Sequence, residues 1–196
     1  MTRGGILVFE EVEVLDFAGP FEVFGVAENA SKDKLFQVAL LGTGPGPVRA
    51  RNGLTVVPER LYTEAGALDV LIVPGGWGAE NLAILDRSLL SWLAEASISV
   101  PLIASVCTGA FLLAEAGLLD GRRATTHHLD FDEFERRWPR VTLVRGAKWV
   151  DEGSILSSGG ISSGIDMALH VVARLEGIET ARRTAARMEY RWQELP

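Results

Sequence analysis

The sequence predicts an α/β sandwich of three layers on a mainly parallel sheet. Two observations carry that expectation. Short apolar runs rich in β-branched residues recur along the chain, and amphipathic stretches of helical period fall between them. A third bears on domain count: no repeat and no low-complexity linker interrupts the alternation, so residues 1–196 are expected to form one domain.

The first run is Gly5-Ile-Leu-Val-Phe9, followed by a helical pattern at about Gly19 to Asn29 and a second run, Phe36-Gln-Val-Ala-Leu-Leu41. Next come Asp69-Val-Leu-Ile-Val73, a helical pattern at Leu82 to Ala96, Pro101-Leu-Ile-Ala-Ser-Val106, and another helix at Gly109 to Ala116. Nearly continuous apolar runs of this length suit strands covered on both faces, which requires helices on both sides of the sheet. From Val141 to Ser158 the helical rhythm stops. Three strand-like pieces appear there, separated by Arg145-Gly146 and Asp151-Glu152-Gly153, and the second separator is a hairpin turn signal. Helical patterns close the chain at Ser163 to Glu176 and Glu179 to Tyr190, broken at Gly177.

Composition narrows the function classes. Of 196 residues, 47% are hydrophobic, enough for a sizeable core, and 26 acidic against 19 basic side chains leave a formal charge of −7. That balance lacks the basic excess a nucleic-acid backbone needs, and the arginines 182, 183, 187 and 191 read as the solvated face of a helix. No apolar run reaches the ~20 residues that span a bilayer, and the N-terminus enters an apolar strand without a secretory leader. A cytoplasmic protein with no membrane partner is expected. The single cysteine, Cys107, excludes an intrachain disulfide and any multi-cysteine zinc site, and three scattered histidines give little basis for another metal site.

Cys107 falls where the run Pro101 to Val106 meets the helical pattern of Gly109 to Ala116. A nucleophile elbow needs small residues two positions either side of the reactive one, and here they are Ser105 and Gly109. The thiol would then stand at the carboxyl end of a parallel strand and beside a helix N-terminus, where dipole and free N–H groups favour a thiolate. The alternative is a buried structural cysteine. Val73-Pro-Gly-Gly-Trp77 follows another strand. The N–H groups of Gly75 and Gly76 could join that of Thr108 as an oxyanion hole, or the glycines could form only a turn. Asp16 follows the strand-like Val12 to Leu15 and precedes a helix. It reads either as a helix N-cap or as a buried carboxyl of raised pKa coupled to the thiol.

Taken together, Leu15-Asp-Phe-Ala-Gly-Pro20, Pro74-Gly-Gly, Ser105-Val-Cys-Thr-Gly109, Ala116-Gly-Leu-Leu-Asp-Gly-Arg-Arg-Ala-Thr-Thr-His127 and Ser158-Gly-Gly-Ile-Ser-Ser-Gly-Ile-Asp166 resemble the ThiJ/PfpI superfamily of class I glutamine amidotransferase-like proteins. The motifs stand in order over almost the whole chain. They are most similar to isocyanide hydratases and to amidase-like domains of some transcription regulators. The resemblance implies a flavodoxin-like sandwich, a homodimer, and no metal or organic cofactor. It assigns Cys107 as nucleophile, Asp16 as the acid beside it, Thr108 as the neighbour facing the site, Gly76 as the oxyanion-loop glycine and His127 as a nearby histidine. The protease-like branch carries histidine directly after the cysteine, whereas this chain has Thr108, so that dyad is absent. His128 and His170 match no role.

Three functions follow as expectations. The first is a cofactor-independent hydratase converting a small organic isocyanide to an N-substituted formamide. The second is a glyoxalase-like or deglycase-like enzyme attacking reactive aldehydes with the same thiol, with Asp16 or His127 moving protons. The third is a thiol-based sensor, read as stand-alone because the chain closes at Pro196. Trp77 and Phe17 read either as an apolar lining or as ordinary packing.

Overall fold

The structure is a computed structural model that describes residues 1–195. Its central sheet has seven strands: β1 Thr2–Val8, β2 Phe36–Gly42, β3 Arg60–Leu61, β4 Val70–Val73, β5 Leu102–Val106, β6 Trp149–Asp151 and β7 Ile155–Ser158, in the order β6-β7-β5-β4-β1-β2-β3. Every neighbouring pair is parallel except β6 with β7, the hairpin expected around Asp151-Glu152-Gly153. β4 and β5 are buried along their whole length, as is β1 from Gly4 onward, so their aliphatic side chains stabilise the fold by about 1.5–3 kcal/mol each.

The helices are α1 Val14–Val26, α2 Trp77–Asn81, α3 Arg87–Ser99, α4 Gly109–Glu115, α5 Phe131–Arg137, α6 Ser163–Glu176 and α7 Ile178–Arg187. α1, α6 and α7 pack together on one side of the sheet, and α2, α3 and α4 on the other. Phe111 of α4 meets Phe134 of α5 and Trp138 in an aromatic cluster that holds α5 on this second layer.

Two boundaries differ from the expectation. α1 begins at Val14 rather than Gly19 and contains Pro20, so Val12 to Leu15 is the entry to a helix and not a strand. The stretch Leu82 to Ala96 is divided because Asp86 accepts hydrogen bonds from the N–H groups of Ser88 and Leu89 and starts α3 there; α2 and a 3₁₀ turn at Ala83–Leu85 precede it. The pair Val48–Arg49 with Thr55–Val56, the strand Arg123–Ala124, the edge strand β3, and α5 had no counterpart in the sequence pattern, whereas Thr142–Leu143, which pairs with Arg123–Ala124 outside the central sheet, is the first of the three strand-like pieces expected from Val141 to Ser158. Arg182 pairs with Glu179 and Glu194 on the outer face of α7, and Arg187 pairs with Glu28, as a solvated face requires. Among the described residues no helix is long and apolar enough to cross a membrane.

Candidate active site

The register of the sheet brings three strand ends to one place. Val73 lies opposite Ser105, and Ser158 opposite Val106, so the turns after β4, β5 and β7 converge at Cys107. Its N–H donates to the carbonyls of Ser158 and Gly159 (3.2 and 3.3 Å), and its own carbonyl accepts from the Thr126 hydroxyl at 2.9 Å. These bonds hold Cys107 at φ 57°, a left-handed conformation that a residue with a side chain adopts at a cost of about 1–3 kcal/mol. The elbow also requires Gly109, because a Cβ there would stand 2.0 Å from the Val73 carbonyl oxygen. Ser105, the other small residue, is fully buried.

Asp16 occupies the first turn of α1, where Glu13 is the N-cap, so it is not a helix cap. Its carboxylate instead crosses to the turn after β4: Oδ2 accepts the Gly75 N–H at 3.0 Å. Oδ1 finds no hydrogen-bond partner of normal geometry among the described residues, although the side chain is wholly buried. Burial pushes the Asp16 carboxyl up to about 8, with a smaller push from the Glu13 charge, against the Gly75 N–H and the Cys107 thiol, which act downward.

Cys107 is 6% exposed. Burial is the chief reason its thiol is pushed up, and the Asp16 charge adds to it; the N–H and hydroxyl of Thr108 act the other way, while Asp130 adds a further upward push. Desolvation thus works against the helix terminus and the Thr108 donors that would favour a thiolate. The glycine donors differ from expectation. The Gly76 N–H donates to the Thr108 hydroxyl at 3.0 Å and that of Gly75 to Asp16, so both tie the site together rather than standing free for a developing charge.

His127 lies beyond Thr126. Its Nδ1 is 3.1 Å from Asp130 Oδ2, and its ring packs against that of His128 and against Gly160. Glu80, half-buried on α2, completes this wall. Burial raises its pKa, the Thr108 hydroxyl lowers it, and it senses the charges of Asp130, Glu133 and His127. Phe17 is a core residue, whereas Trp77 is 47% exposed and, with Glu11, Arg51 and Asn52, lines an open depression of about 440 Å³ beside the Gly75-Gly76 turn. His170 pairs with Asp151 at 2.8 Å on the β6 edge, outside the site. Among the described residues no three metal-ligating side chains converge as a metal centre requires.

Two members of this constellation were not singled out from sequence. Asp130 carries a signal, standing three residues after His127. Glu80 carries none, being one acidic residue in a short helix.

The geometry can be set beside known proteins. The profile of the DJ-1/PfpI family matches residues 4–174. The chain belongs to the DJ-1/PfpI family. Within that family it is 33% identical over 187 residues to the isonitrile hydratase of Pseudomonas putida, an alignment covering 95% of this chain and 77% of that protein. It is 32% identical to the HTH-type transcriptional regulator CdhR of Pseudomonas aeruginosa, over 89% of this chain but only 51% of the regulator. A ThiJ/PfpI family protein from Pseudomonas syringae superposes with a TM-score of 0.83 at 27% identity, covering 98% of this chain and 76% of that one. DJ-1/PfpI proteins thus include both an enzyme and regulators related to this chain at similar identity.

Proposed function

We propose that this DJ-1/PfpI protein is a cofactor-independent isocyanide hydratase, with Cys107 as nucleophile, Asp16 as proton carrier and Thr108 as the group that orients substrate and water. The observation that carries the reading is the buried Asp16 carboxyl, one oxygen fixed by Gly75 and the other unpartnered, beside a buried thiol on a strained turn. The relative named isonitrile hydratase supports it.

Two buried acids in contact cannot both ionise, so the pair carries at most one negative charge. The competent form has Asp16 ionised and Cys107 protonated. Asp16 takes the thiol proton as sulfur attacks the terminal carbon of the isocyanide, and returns it to that carbon, forming a thioimidate. Water adds to the C=N carbon, one of its protons ends on nitrogen and the other on sulfur, and the C–S bond breaks to release the formamide. The Thr108 N–H acts on the charge that develops, and the Gly76 N–H joins it once the Thr108 hydroxyl turns to substrate. The proposal includes a cytoplasmic homodimer, for which the exposed Leu15 and Phe21 of α1 offer an apolar face.

The test is formamide production from an aryl isocyanide by the native protein, Cys107→Ala and Asp16→Asn. Turnover by the native protein alone supports the reading. A native protein that is inert to isocyanide while iodoacetamide still labels Cys107 overturns it and turns the search to aldehydes, with lactate from methylglyoxal as the readout, and then to reversible oxidation of Cys107 as a sensor.

A further inference from the structure

We propose that the cavity between the end of α1 and one face of α7 is a second ligand site, built to hold a small phosphate monoester. It is independent of the chemistry assigned to Cys107. Asp16 stands in the first turn of α1, and Val26, the last residue of that helix, lines the cavity, so ten residues of helix, about 15 Å, lie between them. The cavity has a volume of about 220 Å³ and is walled by the loop after α1 and by Arg183, Thr184 and Arg187 of α7.

Charge selects an anion. The chain carries a formal charge of −7, yet the side chains around this cavity include three cations, Lys32, Arg183 and Arg187, against one carboxylate, Glu28. Arg183 and Arg187 stand four residues apart on α7, so they share a helix face and repel one another. Glu28 pairs with Arg187 and answers only one of the two. The Arg183 guanidinium donates to the Thr180 hydroxyl at 3.1 Å, and among the described residues neither it nor Lys32 lies within ion-pairing distance of a carboxylate. Arg182, by contrast, does not line the cavity and is held by Glu179 and Glu194.

The loop that carries Lys32 is held in place. Asn29 Oδ1 accepts the N–H groups of Ser31 and Asp33 at 2.8 and 2.9 Å, and the Lys32 N–H donates to the Asn29 carbonyl at 3.1 Å. Asn29 Nδ2 donates to Asp33 Oδ2 at 3.0 Å, which engages the loop's own carboxylate. Lys32 sits at φ 65°. Lysine lacks the short polar side chain that lets asparagine or aspartate favour this left-handed conformation, so the loop imposes it.

The same set of residues narrows the anion to a class. Three cations against one carboxylate leave two positive charges, which match the dianion of a phosphate monoester near neutral pH. The Arg183 fork suits two of its oxygens and the Lys32 ammonium a third. Val26 and Ala30 add apolar atoms to the lining, which an inorganic phosphate would leave uncovered and a short carbon body would meet.

The experiment titrates glycerol 3-phosphate into the native protein calorimetrically at pH 7.5 and fixed ionic strength, and repeats the titration with inorganic phosphate and with glycerol. One ester should bind per chain, more tightly than inorganic phosphate, and glycerol should not bind. Arg183→Gln and Lys32→Gln should each raise Kd about tenfold, the loss of one charge-assisted contact. Both side chains are exposed, so their truncation leaves the fold intact. Arg182→Gln, next to Arg183 but outside the cavity, should leave Kd unchanged, and Cys107 should react with iodoacetamide at the same rate with and without the ester. Absence of saturable binding overturns the site. Inorganic phosphate bound as tightly as the ester overturns the assignment of an ester. A loss in Arg182→Gln equal to that in Arg183→Gln reduces the effect to diffuse charge, and protection of Cys107 by the ester places the anion at the thiol; either result overturns the proposal and leaves the hydratase reading as it was.

Discussion

Asp16 and Asp166 are both wholly buried, both lie in the first turn of a helix on the same layer, and they are treated in opposite ways. Asp166 has a partner for each oxygen: the Lys148 ammonium at 2.6 Å on Oδ2 and the Gln193 N–H at 3.2 Å on Oδ1. The Trp192 indole donates to its backbone carbonyl, so the C-terminal segment is latched to this one residue. Asp16 has a single backbone donor and no cation, and its carboxyl is pushed up to about 8. A buried charge that is paired and hydrogen-bonded is part of the scaffold; one left half-satisfied costs stability and holds a proton near neutrality. The difference marks which carboxylate is available for chemistry.

The largest effect expected from breaking this contrast is on turnover. Asp16→Asn keeps the Gly75 hydrogen bond and removes the exchangeable proton, so kcat/KM with an aryl isocyanide should fall roughly 10²–10⁴-fold. The equivalent change at Asp166 should leave the rate per folded molecule unchanged. Stability should respond in reverse. Asp166→Ala strands the Lys148 charge and frees the Gln193 N–H, at about 3 kcal/mol in urea unfolding, the low end for a broken buried pair because Lys148 is partly open to water.

The contrast was only half legible in the sequence. The elbow was legible because it is local: an apolar run, a cysteine and a glycine two residues on define it. The hairpin at Asp151-Glu152-Gly153 was legible for the same reason. Asp16 was assigned only through the family resemblance, because the local pattern reads equally as a helix cap: its burial and its bond to Gly75 depend on residues 59 positions apart meeting across two turns. The start of α1 was misplaced because Pro20 and Gly19 read as a helix beginning, while packing of α1 against β1 and α6 overrides that local preference. The occupied Gly75 and Gly76 donors, the desolvation of the thiol and the placing of Glu80 are products of tertiary burial and leave no local trace.

Linkage sharpens the comparison further. The Asp16 carboxyl binds its proton more tightly in the folded state than in the unfolded chain, where its pKa is near the ordinary 3.8. Folding is therefore unpenalised below about pH 4, loses stability as pH rises toward 8, and loses no more above it. Asp16→Asn removes that penalty, so the variant should gain on the native protein by about 1.4 kcal/mol for each pH unit between 5 and 8, read as paired urea midpoints. A gap that stays constant with pH would mean that Asp16 is ionised throughout. The same proton governs rate: with the ionised form competent, kcat/KM should rise about tenfold per unit below 8 and level off above it.

A third carboxylate gives the smallest effect and the control. Asp86 stands at the start of α3, half-exposed, and accepts from the N–H groups of Ser88 and Leu89 at 2.9 and 3.2 Å. It does for its helix what Asp16 does not do for α1, whose N-cap makes no side-chain bond. Asp86→Ala should lower stability by about 1 kcal/mol, and Asp86→Asn, which keeps an acceptor oxygen, by only a few tenths. Neither should alter turnover or make stability depend on pH as Asp16→Asn does. If Asp86→Ala changed the pH dependence, the attribution of that dependence to burial at Asp16 would fail, because a solvated helix cap would have reproduced it.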